Sequence, residues 1–511
     1  MAARPAKMSL SRLGLINICI SLVGALATYF SLSLMARQFG GTAVSDAYFY
    51  LISLTTIFTA LIASVLSAAF LPVFIELKVR HGMDAASQFG SIVLSWCLVG
   101  CLLIGVGTFA LHDAFFATVS KFGELKLHQQ RSILIYFAPV FCVSVMSEYF
   151  RLVLIALGGY TVAALGALLP PVILVALLLY PDENLRQELL ALSLLASKSA
   201  VLLMLLWMLK GRGIRLRFVI AKNHAATHFL TISAPYASAG LITHFATFFF
   251  DYMATGLGVG ILTSTTYAQR LFAMPVALII NPLLEIARAR FSEYRALNDM
   301  RAFQLQYENL VKIILYFSIS IAVIFFCFSR EIVEVLFQRG AFSDDNVGVA
   351  ANCLQLLSFS VPATCLFTLN GRTVESFQRL VWPSFFGTIG NIFLILLTFN
   401  LVTKLGYKGI PYARVAIDLV YFLPFGFLAA HFFGLEIKFP NFLKTLSLAG
   451  TAAAIPILIY LMGKPQSWLA DFLPQLWVNA ALIASFLATY LILILLIDRK
   501  LFSVVRKLLK R

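Results

Sequence analysis

Charged residues are scarce in this chain of 511 residues: Asp, Glu, Lys and Arg together make up 12%, against 60% hydrophobic residues. A soluble domain carries about 25% charged residues, so this chain cannot clothe a water-facing surface. That excludes a cytosolic enzyme, a secreted domain and a disordered chain. Catalytic signatures are missing too: the sequence has no Gly-x-x-x-x-Gly-Lys loop, no His-Glu-x-x-His, no Cys-x-x-Cys and no Gly-x-Ser-x-Gly. The seven cysteines (Cys19, Cys97, Cys101, Cys142, Cys327, Cys353 and Cys365) all fall in apolar stretches. Without paired loop positions or metal-ligand neighbours they read as small packing residues, and this includes Cys97 and Cys101, which share a helix face. Acids in the gaps between apolar stretches (Asp113, Glu124, Asp182, Glu183, Asp344, Asp345 and Asp471) have no catalytic spacing. Transport is therefore favoured over bond chemistry, and neither an enzyme nor a cofactor or metal is expected.

What the chain has instead is a series of apolar runs, each long enough to cross a hydrocarbon core about 30 Å thick with about 20 helical residues. Fourteen such stretches lie near 13–36, 46–72, 88–111, 131–157, 161–180, 187–209, 229–255, 260–284, 309–329, 347–371, 380–403, 409–433, 441–463 and 475–497. The expected fold class is an all-α membrane protein of about 14 transmembrane helices. The first run is too long for a signal-peptide core and reads as a retained span. The net charge of +16 sits between the runs, so a nucleic-acid partner is not expected. Counting residues near the end of a run with the adjoining gap, 26 of the 39 Lys and Arg residues fall on the side of the termini and 10 on the other side, and three (Lys198, Arg270 and Arg414) lie deeper inside runs. Basic residues favour cytoplasmic loops, so both termini are expected in the cytoplasm.

No gap is long enough for a folded extramembrane domain. The basic stretch from Lys210 to Lys222 follows the sixth run and is expected to join two halves of six spans. This gives an expected organisation of an N-terminal lobe at 1–210, a basic linker at 211–228, a second lobe at 229–434, two further helices at 441–497 and a basic tail at 498–511. The stretch 285–308 reads either as a basic amphipathic segment on the anionic leaflet or as a solvated connector.

Ionisable groups inside a bilayer cost about 2.5 to 3.5 kcal/mol each on insertion scales, so they need partners or a wet cavity. Lys198 lies midway along the sixth run and Arg270 about ten residues into the eighth, both without an acid one turn away. Asp251 lies toward the end of the seventh. Arg414/Asp418, Glu148/Arg151 and Arg372/Glu375 are three or four residues apart and read as self-neutralised pairs. For Lys198 and Arg270 two readings stand: a cavity that holds an anion, or an interhelical ion pair such as Arg270 with Asp251. Asp251 alone is equally suited to a cation or a proton. Isolated cations in a bundle suit a ligand with concentrated negative charge, such as a lipid-linked pyrophosphate, whose head group cannot cross hydrocarbon unaided.

Several strings then resemble the MurJ/MviN family of lipid flippases, within the multidrug/oligosaccharidyl-lipid/polysaccharide exporter superfamily. Ala36-Arg37-Gln38-Phe39-Gly40 followed by Ser45-Asp46-Ala47-Tyr48-Phe49 resembles A-R-x-F-G and T-D-A-F-F. Ser67 to Pro72 resembles S-x-A-F-x-P. Asp251 to Thr255, then Tyr267-Ala268-Gln269-Arg270-Leu271 and Pro275, resembles D-x-x-A-S and Y-A-x-R-L…P, and Leu336 to Ser343 resembles L-F-x-R-G-x-F.

The resemblance implies two six-helix lobes around a central cavity open alternately to each side, with two C-terminal helices forming a lipid-facing groove. It also implies a flippase that moves a polyprenyl-diphosphate-linked glycan, lipid II or a polysaccharide repeat unit, to the outer leaflet of the bacterial inner membrane. Arg270 would contact the head group and Asp46 would shape the outer mouth, with Lys198, read from its place in the sixth run, as the second cation. Asp251 and Asn391 would match the region for a coupling cation, Na+ or H+, with the membrane potential as the other driving force. Membrane lipids and the glycan-synthesis machinery are the implied partners. The family's first-span S-R-x-x-G-x-x-R-D is absent, this chain reading Gly24-Ala25 and Ser31-Leu32 there, and so are the second-span K-L-P-N and arginines, since nothing between Asp46 and Glu76 is charged. The alternatives are a cation-coupled exporter of small molecules and a non-transporting subunit of a glycan-assembly complex.

Overall fold

The protein is described by a computed structural model covering residues 10–463, apart from 124–129, 160–165, 167, 180–185, 215, 220–223, 378–380 and 437–438, together with a few positions between 478 and 494. Helices make up the described secondary structure, and no strand occurs among the described residues. Eight are long and apolar enough to cross a membrane, among them Ala43–Arg80, Gln130–Ala156, Met300–Cys327 and Phe385–Phe432. The last of these contains two of the expected stretches, divided at a 3-10 turn, Gly406–Lys408. The fourteenth expected stretch, 475–497, lies almost wholly outside the described residues, so fourteen stays an expectation.

By contacts the chain forms two compact units: residues 1–263 with 340–342, and 264–339 with 343–511. The lobes read from the sequence divide earlier, at 228/229. The difference lies in the helix His224–Thr255, which packs along the second helix of the chain and so groups with the first unit, and in the start of the helix that follows it.

In the first unit the elements are α1 (Leu10–Phe39), α2 (Ala43–Val65), α3 (Leu71–Arg80), α4 (Gly82–Ala110), α5 (His112–Val119), α6 (Phe137–Ala156), α7 (Leu169–Leu178), α8 (Arg186–Leu209) and α9 (His224–Thr255). Thr42 starts α2 with a reciprocal cap: the Ser45 N–H donates to Thr42 Oγ1 and the Thr42 N–H to Ser45 Oγ. A π turn, Leu66–Phe70, joins α2 to α3 just before Pro72. Proline has no N–H for the helical ladder and its ring crowds the preceding turn, and a one-residue widening relieves both. Phe70, Phe74, Phe89 and Tyr149 pack as a fully buried aromatic core, and the Tyr149 hydroxyl donates to the Gly90 carbonyl at 2.8 Å. Part of the basic linker docks on α4, where the N–H groups of Arg217 and Val219 donate to Ser91 and Ser95, one helical turn apart.

The helix α10 (Ile261–Pro275) begins in the first unit and continues in the second. There it is followed by a π turn, Val276–Ile280, between Pro275 and Pro282, and by α11 (Asn281–Ala296). The second unit goes on with α12 (Met300–Cys327), α13 (Ser329–Phe337), α14 (Asp344–Leu357), α15 (Val361–Ser376), α16 (Val381–Leu405), α17 (Gly409–Ile417), α18 (Leu423–Phe432) and α19 (Phe439–Gly463). Asp299 and Ser343 cap α12 and α14 with their side-chain oxygens. A buried hydrogen bond of 2.7 Å from Tyr307 to Asn370 ties α12 to α15.

Candidate functional site

Two of the sequence islands meet at the C-terminal end of α1. The Ala341 N–H donates to the Arg37 carbonyl at 2.9 Å. Gly40 and Gly340 both have positive φ, and a Cβ on Gly40 would lie 2.0 Å from the Ala341 carbonyl oxygen. Only glycine allows backbone to meet backbone this closely. The A-R-Q-F-G and R-G-A-F strings are therefore two halves of one clasp.

Asp46, in the first turn of α2, is 2% exposed. Its carboxylate accepts from the Gly260 N–H (2.6 Å), the Thr263 N–H (2.9 Å) and the Thr263 hydroxyl (2.6 Å). These are the unsatisfied donors at the N-terminus of α10, where the helix dipole also favours a negative charge. Asp46 thus caps, from another element, the helix that bears Arg270, and the Thr263 hydroxyl also lies 3.1 Å from that of Ser45. In this structure the carboxylate acts on a helix terminus.

Arg270 is half-buried, nine residues into α10 and so about 14 Å along its axis. One turn earlier, the fully buried Tyr267 stacks on Phe337 with ring centroids 4.5 Å apart, which anchors this stretch of helix. Asp251, half-buried near the end of α9, accepts from Ser53 of α2 at 2.5 Å. Its neighbour Tyr252 lies under the Lys121 ammonium, 5.3 Å from the ring centroid. Asn391 lies half-buried on α16, in the second unit, whereas Asp251 belongs to the first.

Lys198 is half-buried at mid-length on α8, which packs along α6. The Ser147 hydroxyl approaches the Lys198 carbonyl at 3.5 Å, setting the two helices level there. The carboxylate of Glu148, the next residue, attracts the Lys198 ammonium electrostatically. Glu148 is itself forked by Arg151, whose Nε donates at 2.8 Å and whose Nη2 holds the other oxygen. The sequence showed Glu148/Arg151 as a pair and Lys198 as isolated, and the fold makes them a trio. No sequence signal could have found this, because it depends on the register between two helices 50 residues apart.

The remaining intrahelical pairs also form. Arg414 donates to Asp418 at 2.8 Å, and the buried carboxylate accepts in addition from Ser360 and from Thr364. Arg372 donates to Glu375 at 3.0 Å, with Arg288 of α11 at 3.6 Å from the same carboxylate. Cys142 lies against the Cys101 carbonyl at 3.4 Å, a packing contact between α6 and α4. No cluster of three or more His, Cys, Asp or Glu suited to a metal occurs among the described residues.

The family model described as lipid II flippase MurJ matches residues 35–487. A probable lipid II flippase MurJ from Rhizobium meliloti is 25% identical, covering 93% of this chain and 92% of its own length. Among solved structures, one of a lipid II flippase MurJ in an inward closed conformation superposes with a TM-score of 0.79 at 16% identity, over 96% of this chain and all of that one. An inward-facing multidrug resistance transporter of the MATE family superposes with a TM-score of 0.67 at 14% identity, over 80% of this chain and 97% of that one.

Proposed function

This chain belongs to the lipid II flippase MurJ family, a family of membrane transporters, and from that premise we propose that it carries a polyprenyl-diphosphate-linked glycan from the cytoplasmic to the outer leaflet of a bacterial inner membrane by alternating access. The observation that carries the reading is the family match from residue 35 to 487, across a chain whose few intramembrane cations lie within its apolar helices. Arg270 in the second unit and Lys198 in the first are each a candidate source of positive charge for the diphosphate, in place of the hydration it leaves behind. Asp46 serves by holding the N-terminus of α10, and with it Arg270, in place. Asp251 and Asn391 are the candidates for coupling to Na+ or H+. Without them the membrane potential still biases the cycle, at about 2.3 kcal/mol per charge for each 100 mV. The bias of basic residues puts both termini in the cytoplasm, and no covalent step and no cofactor enter the cycle. Contacts with the glycan-synthesis machinery belong to the same reading.

The named relatives make lipid II the first cargo to test. The absence of charge between Asp46 and Glu76 favours a second, a repeat unit of another envelope polysaccharide. Reconstituted protein should translocate a labelled polyprenyl-diphosphate glycan across vesicles, and Arg270→Ala should slow this at least about tenfold with little change in melting temperature. An unchanged rate removes Arg270 from the anion site. Rescue of cells depleted of their lipid II flippase separates the two cargoes.

A further inference from the structure

Three charged side chains of the first unit share one level of the membrane-spanning bundle, and together they hold one negative and two positive charges. Glu148 lies eight residues, about 12 Å, before the C-terminal end of α6. Lys198 lies within about a turn of the midpoint of α8. Neither position is sealed: the Glu148 side chain is 18% exposed, Arg151 32%, and Lys198 half-buried. With Ile155, Glu148 and Arg151 form a partly open line along α6, at spacings of three and four residues. One turn before Glu148 on the same face, the Ser144 hydroxyl is 4% exposed and has no hydrogen-bond partner.

A permanent structural ion pair would balance its charges, because an uncompensated cation inside a bilayer is expensive. This group does not balance. Glu148 uses both oxygens on Arg151, and among the described residues Lys198 makes no ion pair within 4.0 Å, the same carboxylate attracting it from farther off. Arg151 gives two of its five N–H donors to Glu148. The bidentate geometry that a carboxylate satisfies is also the one a phosphate satisfies. We propose that the Lys198–Glu148–Arg151 trio is a phosphate site of the first unit in which Glu148 stands in for the ligand, releasing Arg151 when a diphosphate binds against Lys198. The empty protein is thereby stable without its cargo. Arrival of the diphosphate changes the site from one cation facing it to two, and return of Glu148 to Arg151 expels it. This rests on the reading of the chain as a carrier of diphosphate-linked lipids, and it adds Glu148 and Arg151 to that reading as the residues that set affinity against release.

The test uses full-length protein in nanodiscs of neutral phospholipid and, as probe, a short-chain polyprenyl diphosphate bearing one sugar. Glu148→Gln keeps size and one acceptor oxygen but removes the competing charge and the two-oxygen fork. It should bind the probe about tenfold tighter, release it more slowly and flip it with a lower kcat and a lower KM, while Glu148→Gln with Lys198→Met loses the gain. Glu148→Gln protein that melts like the wild type and binds no tighter overturns the proposal. Should Glu148→Gln not fold, Glu148→Asp decides. Its shorter carboxylate cannot fork Arg151, so about threefold tighter binding is expected, and unchanged or weaker binding overturns. Phosphatidylglycerol added to the nanodisc identifies the source of the phosphate. Suppression of the gain assigns the site to a bilayer phospholipid and overturns the cargo assignment. If wild type and variants all leave the probe unbound, the carrier reading itself fails, whereas wild-type binding without a Glu148→Gln gain defeats only the role of Glu148.

Discussion

Asp46 and Glu148 are both carboxylates on helices of the first unit, and they are neutralised in opposite ways. Asp46 is buried and accepts from two backbone N–H groups and a hydroxyl, all at the start of α10. Glu148 is partly open and held by a side chain that can swing away, the Arg151 fork on its own helix, with the Lys198 ammonium of α8 attracted to it from farther off. Backbone donors cannot leave without unwinding a helix, so the first arrangement fixes structure. Side-chain donors can exchange partners by changing rotamers, so the second can answer a ligand. Substitutions around Asp46 should therefore lower stability, and those around Lys198 should lower transport.

The largest effect is expected at the clasp beside Asp46. Gly340 has φ +68°, and a Cβ there would lie 2.2 Å from the Arg37 carbonyl oxygen. Gly340→Val adds a β-branched side chain to a left-handed backbone and drives it into another backbone. A loss of about 3 to 5 kcal/mol is expected, read as a collapse in melting temperature of the purified protein. A near-normal melt would show that the two strings are not held against each other. Asp46→Ala comes next, at about 2 to 3 kcal/mol, because two N–H groups at the end of α10 lose a charged acceptor. Asp46→Asn, which keeps an acceptor oxygen, should cost about 1 kcal/mol. Equal losses for the two would mean that the charge of Asp46, rather than its acceptor geometry, holds α10.

Lys198→Met inverts the pattern. Replacing an intramembrane ammonium with an apolar chain of similar length should leave stability within about 1 kcal/mol of wild type or raise it. Flipping of a diphosphate-linked lipid should nonetheless fall about tenfold, equivalent to about 1.4 kcal/mol of binding free energy. A fall in melting temperature with intact flipping would give Lys198 the structural part and erase its contrast with Asp46.

The two carboxylates also differ in how much the sequence reveals of them. Asp46 stands in a string of recognisable pattern. Its importance is legible, though not its partner, because Gly260 and Thr263 are more than 200 residues away and backbone donors leave no mark in side-chain identity. The spans are legible because length and hydropathy suffice to predict a helix across hydrocarbon: the structure has helices over the expected stretches from 13–36 to 441–463, although within 161–180 the described helix is the short Leu169–Leu178. The π turns at Leu66–Phe70 and Val276–Ile280 could be anticipated from Pro72 and Pro282, since proline disturbs the ladder at a known offset. Glu148 with Arg151 is legible as an i,i+3 pair, but the approach of Lys198 and that of Ser53 to Asp251 depend on how helices slide against each other. Hydrophobic periodicity fixes which face is buried and leaves that sliding undetermined. The same limit applies to the division into units, where packing of α9 on α2 outweighs the basic linker as a boundary.

The smallest expected effect sharpens the Asp46 side of the comparison. Thr263→Val removes the hydroxyl that donates to Asp46 at 2.6 Å and lies 3.1 Å from the Ser45 hydroxyl, while both backbone donors to the carboxylate remain. Valine fills almost the same volume, so the change tests a hydrogen bond with little cavity contribution. A loss of about 1 kcal/mol is expected. In a cycle with Asp46→Asn the two losses should not add, because the threonine hydroxyl contributes mainly through the carboxylate it meets. Additive losses would mean that Thr263 supports α10 through Ser45 instead, making the cap of α10 two independent contacts in place of one cooperative cluster.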